Sequence, residues 1–246
     1  MVVELSVIGV FVGILSGFFG IGGGTILVPV LLFLGYDMKT AIGISVIQMV
    51  FSSVYGSYLN FKKGTLDLKM VSIIGFGGFF GALLSALIVS RVNAFTLEVL
   101  FFAFVIFALA RMYVKTQQYN TVIQPHPALL FLIGTAIGLF SISIGVGGSI
   151  LLVPILVGFL HVNLKNAISA GLFFVVFSSI SGVIGLSMAR VLDYESGMII
   201  GLASLLGVLF GIHMKHQVND DVQKKLLLLF YIAVALYLFI RLVGNG

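Results

Sequence analysis

Cysteine is absent from this chain. A disulfide framework, a thiolate metal site and a cysteine nucleophile are excluded together. Charge is scarce as well. Only 9% of the 246 residues are charged, against about 25% in a soluble domain. Too little polar surface exists to coat a water-soluble globule. The net charge of +5 does not point to nucleic acid, because the basic residues stand singly or in pairs and form no stripe. No basic segment precedes the first apolar run, which follows Glu4, so no cleaved secretory signal is expected. Proline occurs four times, at informative places.

Apolar residues make up 60% of the chain, with 23 Phe beside 30 Gly. Bulky and minimal side chains in this mixture suit helices packed closely in lipid. A span needs about 20 mostly apolar residues. Such stretches cover roughly 41–60, 69–90, 96–114, 167–189, 196–214 and 223–243. Two further stretches, 5–35 and 128–160, are too long for one simple span and too short for two. Each is broken by glycine, as Gly20-Ile21-Gly22-Gly23-Gly24 and Gly145-Val146-Gly147-Gly148-Ser149. A short apolar piece with Pro29 or Pro154 follows each break. Glycine runs disfavour helix, so each stretch reads as a helix, an unwound elbow and a second, short helix.

The two halves match in order. Gly20, Gly22, Gly23, Val28 and Pro29 correspond to Gly145, Gly147, Gly148, Val153 and Pro154. One residue of slip then pairs Lys39-Thr40-Ala41-Ile42 with Lys165-Asn166-Ala167-Ile168, and Val50-Phe51-Ser52-Ser53 with Val176-Phe177-Ser178-Ser179. Leu66-Asp67 meets Leu192-Asp193, and Gly81 meets Gly207. The expected fold is all-α and polytopic in the membrane, built of two repeats. Residues 1–115 form the first, 116–127 a polar connector and 128–246 the second.

Two topologies suit the elbows. If each is a kink in one spanning helix, the halves insert the same way up. If each is the tip of a re-entrant hairpin, the halves are inverted. Cytoplasmic loops collect Lys and Arg. The inverted arrangement puts nine of the thirteen basic residues on one side and four on the other, whereas the kinked one gives seven and six. Inverted repeats with both termini outside are therefore expected. The hairpin arms are long for half a membrane, which leaves room for one arm to span nearly alone.

Unpaired backbone in lipid costs several kcal/mol per group unless protein or a water-filled cavity surrounds it. The elbows should thus be buried between helices. The short helices begin near Gly24 and Ser149. Each N-terminus carries free N–H groups and roughly half a positive charge. Two such ends facing each other at mid-membrane make a site for an anion. Gly22, Gly23, Gly24, Gly147 and Gly148 would let backbone approach it, and Thr25 and Ser149 would add hydroxyl donors. The plainer reading is that these glycines only permit tight helix crossing, as expected of Gly77 with Gly81 and of Gly207 with Gly211.

Ser45, Gln48 and Ser52 fall on one helical face. Ser52-Ser53 and Ser178-Ser179 lie inside apolar spans. A membrane serine commonly bonds back to its own helix, so Ser52 and Ser178 carry both readings. Gln48 is the sharper candidate, as the only mid-span amide; its repeat counterpart is Phe174, so the site would be asymmetric. Asp67 and Asp193 each precede a span and read as helix caps; proton coupling ranks below that. His213 and His216 sit at a span end. No charged residue stands mid-span, which argues against a carboxylate relay. Neither elbow ends in the Gly-Lys-Ser/Thr of a phosphate loop. No cofactor is expected, and an enzyme is the least favoured class, because no nucleophile–base pair or metal-ligand cluster is visible.

The elbow segments, Gly20-Ile21-Gly22-Gly23-Gly24-Thr25-Ile26-Leu27-Val28-Pro29 and Gly145-Val146-Gly147-Gly148-Ser149-Ile150-Leu151-Leu152-Val153-Pro154, resemble those of the TauE/SafE family of sulfite exporters and related anion permeases. Gly64-Thr65-Leu66-Asp67 is similar to the family's Gly-x-x-Asp entry to a helix. The second copy differs, with Ser141-Ile142-Ser143-Ile144 before the elbow and Ser149 where the first has Gly24. The resemblance covers nearly the whole chain. It implies a multi-pass transporter of the cytoplasmic membrane, moving sulfite, sulfonates or related sulfur-containing anions. An anion channel and a non-transporting assembly factor are the alternatives. The expected partners are a small anionic substrate and the lipid bilayer, with no nucleic acid and with homo-oligomerisation left open.

Overall fold

Apolar runs bounded by capping residues fold here into ten helices among the described residues. The structure is a computed structural model and describes residues 2–64, 68–113, 126–162, 164–215 and 217–245. The first five helices are α1 (Val2–Phe19), α2 (Gly24–Phe33), α3 (Met38–Lys62), α4 (Leu68–Arg91) and α5 (Ala94–Tyr113). The second five are α6 (Pro127–Ser143), α7 (Ser149–Gly158), α8 (Leu164–Met188), α9 (Tyr194–Lys215) and α10 (Asp220–Asn245). The six expected spans are α3, α4, α5, α8, α9 and α10, and both long glycine-broken stretches divide at the elbows. Most of the connector, 114–125, lies outside the described residues, as do Asp67 and His216.

Among the described residues six helices are long and apolar enough to cross a membrane, namely α1, α3, α4, α8, α9 and α10, whereas the expected span in α5 falls among the shorter apolar helices, over Ala94–Ala110. Polar and apolar faces are placed accordingly. On α10, Leu229, Ile232, Leu236, Phe239, Ile240 and Val243 point outward. Ser45, Gln48, Ser52, Ser141, Ser149 and Ser178 are fully enclosed. This is the reverse of a water-soluble fold, and it fits a bilayer solvent.

Glycine decides which helices meet most closely. Gly9, Gly13 and Gly17 of α1 lie on the backbone of Ile200, Ser204 and Val208 in α9. Gly77 and Gly81 of α4 lie on the carbonyls of Phe131 and Thr135 in α6, and Gly207 and Gly211 on those of Val10 and Ile14. A β-carbon at any of these positions would overlap backbone. Without one, helices approach closely enough for Cα–H···O contacts, worth about 0.5–1 kcal/mol each. The small-residue pairs seen in the sequence thus serve helix crossing.

These contacts also fix direction. Residue numbers rise together along α1 and α9, and along α4 and α6. They do so again where Gly197 and Gly201 meet Ile47 and Phe51, and where Gly75 and Gly185 meet Phe177 and Leu83. So α1, α3 and α9 run one way, and α4, α6 and α8 the other. Between α3 and α8 the numbers run oppositely, since Gly56 meets Leu172 while Gly182 meets Val46. By these contacts α1 and α6, α3 and α8, and α4 and α9 run antiparallel.

Because α1 and α3 are parallel, α2 must carry the chain back between them. The two arms are unequal. The 18 residues of α1 span about 27 Å, close to a hydrocarbon core of about 30 Å, while the ten of α2 span about 15 Å. By length α1 is enough to cross nearly alone, and α2 is about half as long. The free end of α2 is held by Arg241. Its Nη1 donates to the Leu32 carbonyl (2.6 Å), while Nε and Nη2 donate to the Glu98 carboxylate at 3.2 and 3.3 Å. This ion pair joins α2, α5 and α10.

Candidate functional site

Each elbow owes its shape to glycine in the left-handed region. Gly20 and Gly22 have φ of +66° and +62°, and Gly145, Gly147 and Gly148 have +74°, +78° and +94°. Residues with a β-carbon rarely adopt these angles. The first helix of each half closes similarly, with the Gly20 N–H donating to the Ser16 carbonyl and the Val146 N–H to that of Ser141, both 2.8 Å.

Around each elbow the same set of contacts recurs. Gly20 meets Ile168, and Gly145 meets Ile42. Gly22 packs on Val175, and Gly147 on Met49. Gly23 faces Gln48, and Gly148 faces Phe174. Each pair joins residues that correspond between the two halves of the sequence. Gln48 and Phe174 stand near the middle of α3 and α8, which puts Gly23 and Gly148 level with the middles of these helices.

The elbows touch. Gly24 lies against the Gly145 carbonyl, with Met49 and Ser45 closing the gap. Ser45 donates its hydroxyl hydrogen to the Gly145 carbonyl at 2.8 Å. Ser178 donates to the Gly147 carbonyl at 2.9 Å. Residues 16–29 and 141–150 are buried almost throughout.

Capping separates the two short helices from α3, α5, α6 and α9. Asp37 accepts the Lys39 and Thr40 N–H groups at the start of α3. Asn93 does the same for α5, His126 for α6 and Asp193 for α9. The Asp193 cap agrees with the sequence reading. Helices α2 and α7 have Gly23 and Gly148 at their N-cap positions and no side-chain cap. Their first N–H groups have no helical partner, and both ends are buried.

Unpartnered polar side chains gather there. Both amide atoms of Gln48 are buried without a hydrogen bond, and so are the hydroxyls of Thr25, Ser141 and Ser149. A buried amide with no partner costs about 1–3 kcal/mol. Of the ten residues expected at the site, Gly22, Gly23, Gly24, Thr25, Gln48, Gly147, Gly148 and Ser149 stand at or against the elbows. Ser178 also reaches one, but its hydrogen is spent on the Gly147 carbonyl, so it braces the elbow. Ser52 makes only a long bond to its own helix, to Met49 at 3.4 Å, in keeping with the plainer reading. Ser141 and Met49 were not singled out from sequence. Ser141 had a signal, since Ser16 and Ser141 precede the matched Gly20 and Gly145 by the same four residues.

No Asp, Glu, Lys, Arg or His occurs in residues 5–35 or 128–160. Among the described residues no cluster of three His, Asp or Glu stands ready for a metal ion. What the elbows offer is backbone N–H groups, hydroxyls and one carboxamide, a set that binds oxyanions by directed hydrogen bonds.

Comparison with known proteins agrees with this membrane architecture. The chain is 26% identical over 190 residues to the "Probable membrane transporter protein YdhB" of Bacillus subtilis, covering 74% of this chain and 77% of that one. It is 23% identical over 275 residues to the "Probable membrane transporter protein YunE" of the same organism, covering 99% and 98%. A "Probable membrane transporter protein" of Haemophilus influenzae is 26% identical over 256 residues, covering 95% and 96%. No solved structure matches the chain. The family described as "Sulfite exporter TauE/SafE" matches residues 5–238. The chain belongs to that family, whose members are membrane transporters.

Proposed function

We propose that this multi-pass protein is a secondary transporter of the cytoplasmic membrane. It moves a small sulfur-containing oxyanion, such as sulfite or a sulfonate, bound between the N-termini of α2 and α7. One observation carries this reading: two uncapped helix starts are buried level with the middles of α3 and α8, beside an unpartnered Gln48 amide. A buried polar group without a partner costs free energy, and an oxyanion would supply that partner. Neutralisation by backbone instead of Arg keeps affinity modest, which lets the substrate leave.

The halves, residues 1–115 and 128–246 joined by 116–127, act as inverted repeats in this reading. The antiparallel course of α3 and α8 supports it. Inverted repeats let one half rock against the other and expose a midplane site to each side in turn. The Lys-rich side, with Lys62, Lys63 and Lys215, faces the cytoplasm.

The test is flux in proteoliposomes. Sulfite or methanesulfonate uptake should saturate and be stimulated by substrate on the far side. No flux of either anion rejects the reading, and single-channel currents replace the carrier by a channel.

A further inference from the structure

Building on that anion site, we infer that it selects by charge state, taking oxyanions of a single negative charge and rejecting dianions. The charge available sets the limit. Each helix start contributes roughly half a positive charge, so two supply about one. Nothing else adds to it, because residues 5–35 and 128–160 contain no ionisable side chain apart from uncharged hydroxyls. A dianion would keep about one uncompensated charge in a buried setting, where such a charge is very costly.

The acceptors at the site point the same way. Gln48 brings its Oε1 as well as its Nε2 to the N-terminus of α2, and neither has a partner. This oxygen and the lone pairs of the unpartnered Thr25 and Ser149 hydroxyls repel bare anionic charge and accept a proton carried by the ligand. Hydrogensulfite fits such a mixture better than sulfite dianion does.

The described titrating groups of α1, α3, α4, α6, α8 and α9 stand away from the elbows. Glu4 opens α1, while Lys39 and Lys62 bound α3. Tyr55 and Tyr58 of α3 lie at its periphery. Lys69 and Arg91 bound α4, His126 precedes α6, and Lys165 opens α8. On α9, Tyr194, Glu195, His213 and Lys215 lie at the two ends.

The experiment compares three ligands against the purified protein by calorimetric titration between pH 6 and pH 8. Methanesulfonate is a monoanion throughout, sulfate a dianion throughout, and sulfite loses its second proton near neutrality. Methanesulfonate affinity should stay within about twofold, which controls for titration of the protein. Sulfite affinity should fall about tenfold per pH unit above its second ionisation, following the monoanion. Sulfate should not bind. Sulfate binding as tight as methanesulfonate, or sulfite affinity that holds at high pH, overturns charge selection and leaves the oxyanion site standing. Failure of all three to bind at any pH removes the site itself, and charge selection with it.

Discussion

The Ser45 hydroxyl donates to the Gly145 carbonyl across the boundary between the two halves, at 2.8 Å and fully buried. It is a direct polar link from α3 to the second elbow, and the carbonyl it satisfies belongs to a residue at φ +74°. Replacing Ser45 by Ala leaves that carbonyl buried without this donor, at a cost of about 1–3 kcal/mol. Ser53→Ala is the control, since Ser53 makes only a 3.5 Å bond within its own helix. Thermal unfolding in detergent should show a lower Tm for S45A and little change for S53A. Equal Tm values would mean that the cross-half bond carries no weight.

Gln48→Leu is expected to separate stability from function. Leu is close to Gln in volume and has no polar atoms. The substitution removes two buried, unpartnered groups, so folding stability should hold or rise by about 1 kcal/mol. Sulfite-dependent stabilisation and transport should both be lost. A large fall in stability would instead assign Gln48 a structural bond.

Gly22→Val and Gly147→Val should abolish transport while the protein still inserts. Both positions have φ above +60°, and a β-carbon would press on Val175 at 3.2 Å or on the Met49 sulfur at 2.6 Å. Gly64→Ala isolates strain from crowding, because its φ is +68° with nothing within 4 Å. It should cost about 1 kcal/mol and retain flux in proteoliposomes. Normal flux in both valine variants would remove the elbows from the mechanism.

Asp37 gives α3 a pH-dependent cap. Partial burial alone would raise its pKa. Hydrogen bonds from the Thr40 hydroxyl and from the Thr40 and Lys39 N–H groups outweigh that and hold it below the ordinary carboxylate value. A depressed folded-state pKa means that the stabilisation is complete above the unfolded-state value and is lost as pH falls through the folded one. Tm measured from pH 7 down to pH 3 should therefore fall more steeply for the native chain than for Asp37→Asn. Parallel curves would show that the carboxylate charge is not what caps α3.

Much of the fold was legible because its signals are local. Apolar runs of span length, the glycine breaks and the matched Pro29 and Pro154 each lie within about 30 consecutive residues. The sequence also pointed to Gln48, since a lone amide inside an apolar span has few bland explanations. Ser52 and Ser178 looked alike to the sequence, both serines inside a span. Their difference lies in what stands opposite: Ser178 faces the Gly147 carbonyl, and Ser52 faces its own helix. Met49 enters the second elbow only through packing between elements far apart in the chain, whereas Ser141 precedes that elbow by four residues. The unequal arms of the first hairpin also needed tertiary contacts, because α1 is placed by its glycine face against α9.

By itself the sequence determined a lipid-embedded chain of helices, duplicated, with two breaks at matched positions. Apolar length and glycine's backbone freedom act within one segment, and so they can be read from it. Tertiary structure decided that α3 and α8 run antiparallel, that Gly24 meets Gly145, and that Gln48 is left with no partner. Those outcomes depend on separate segments of the chain competing for the same buried volume, and no local pattern encodes the result.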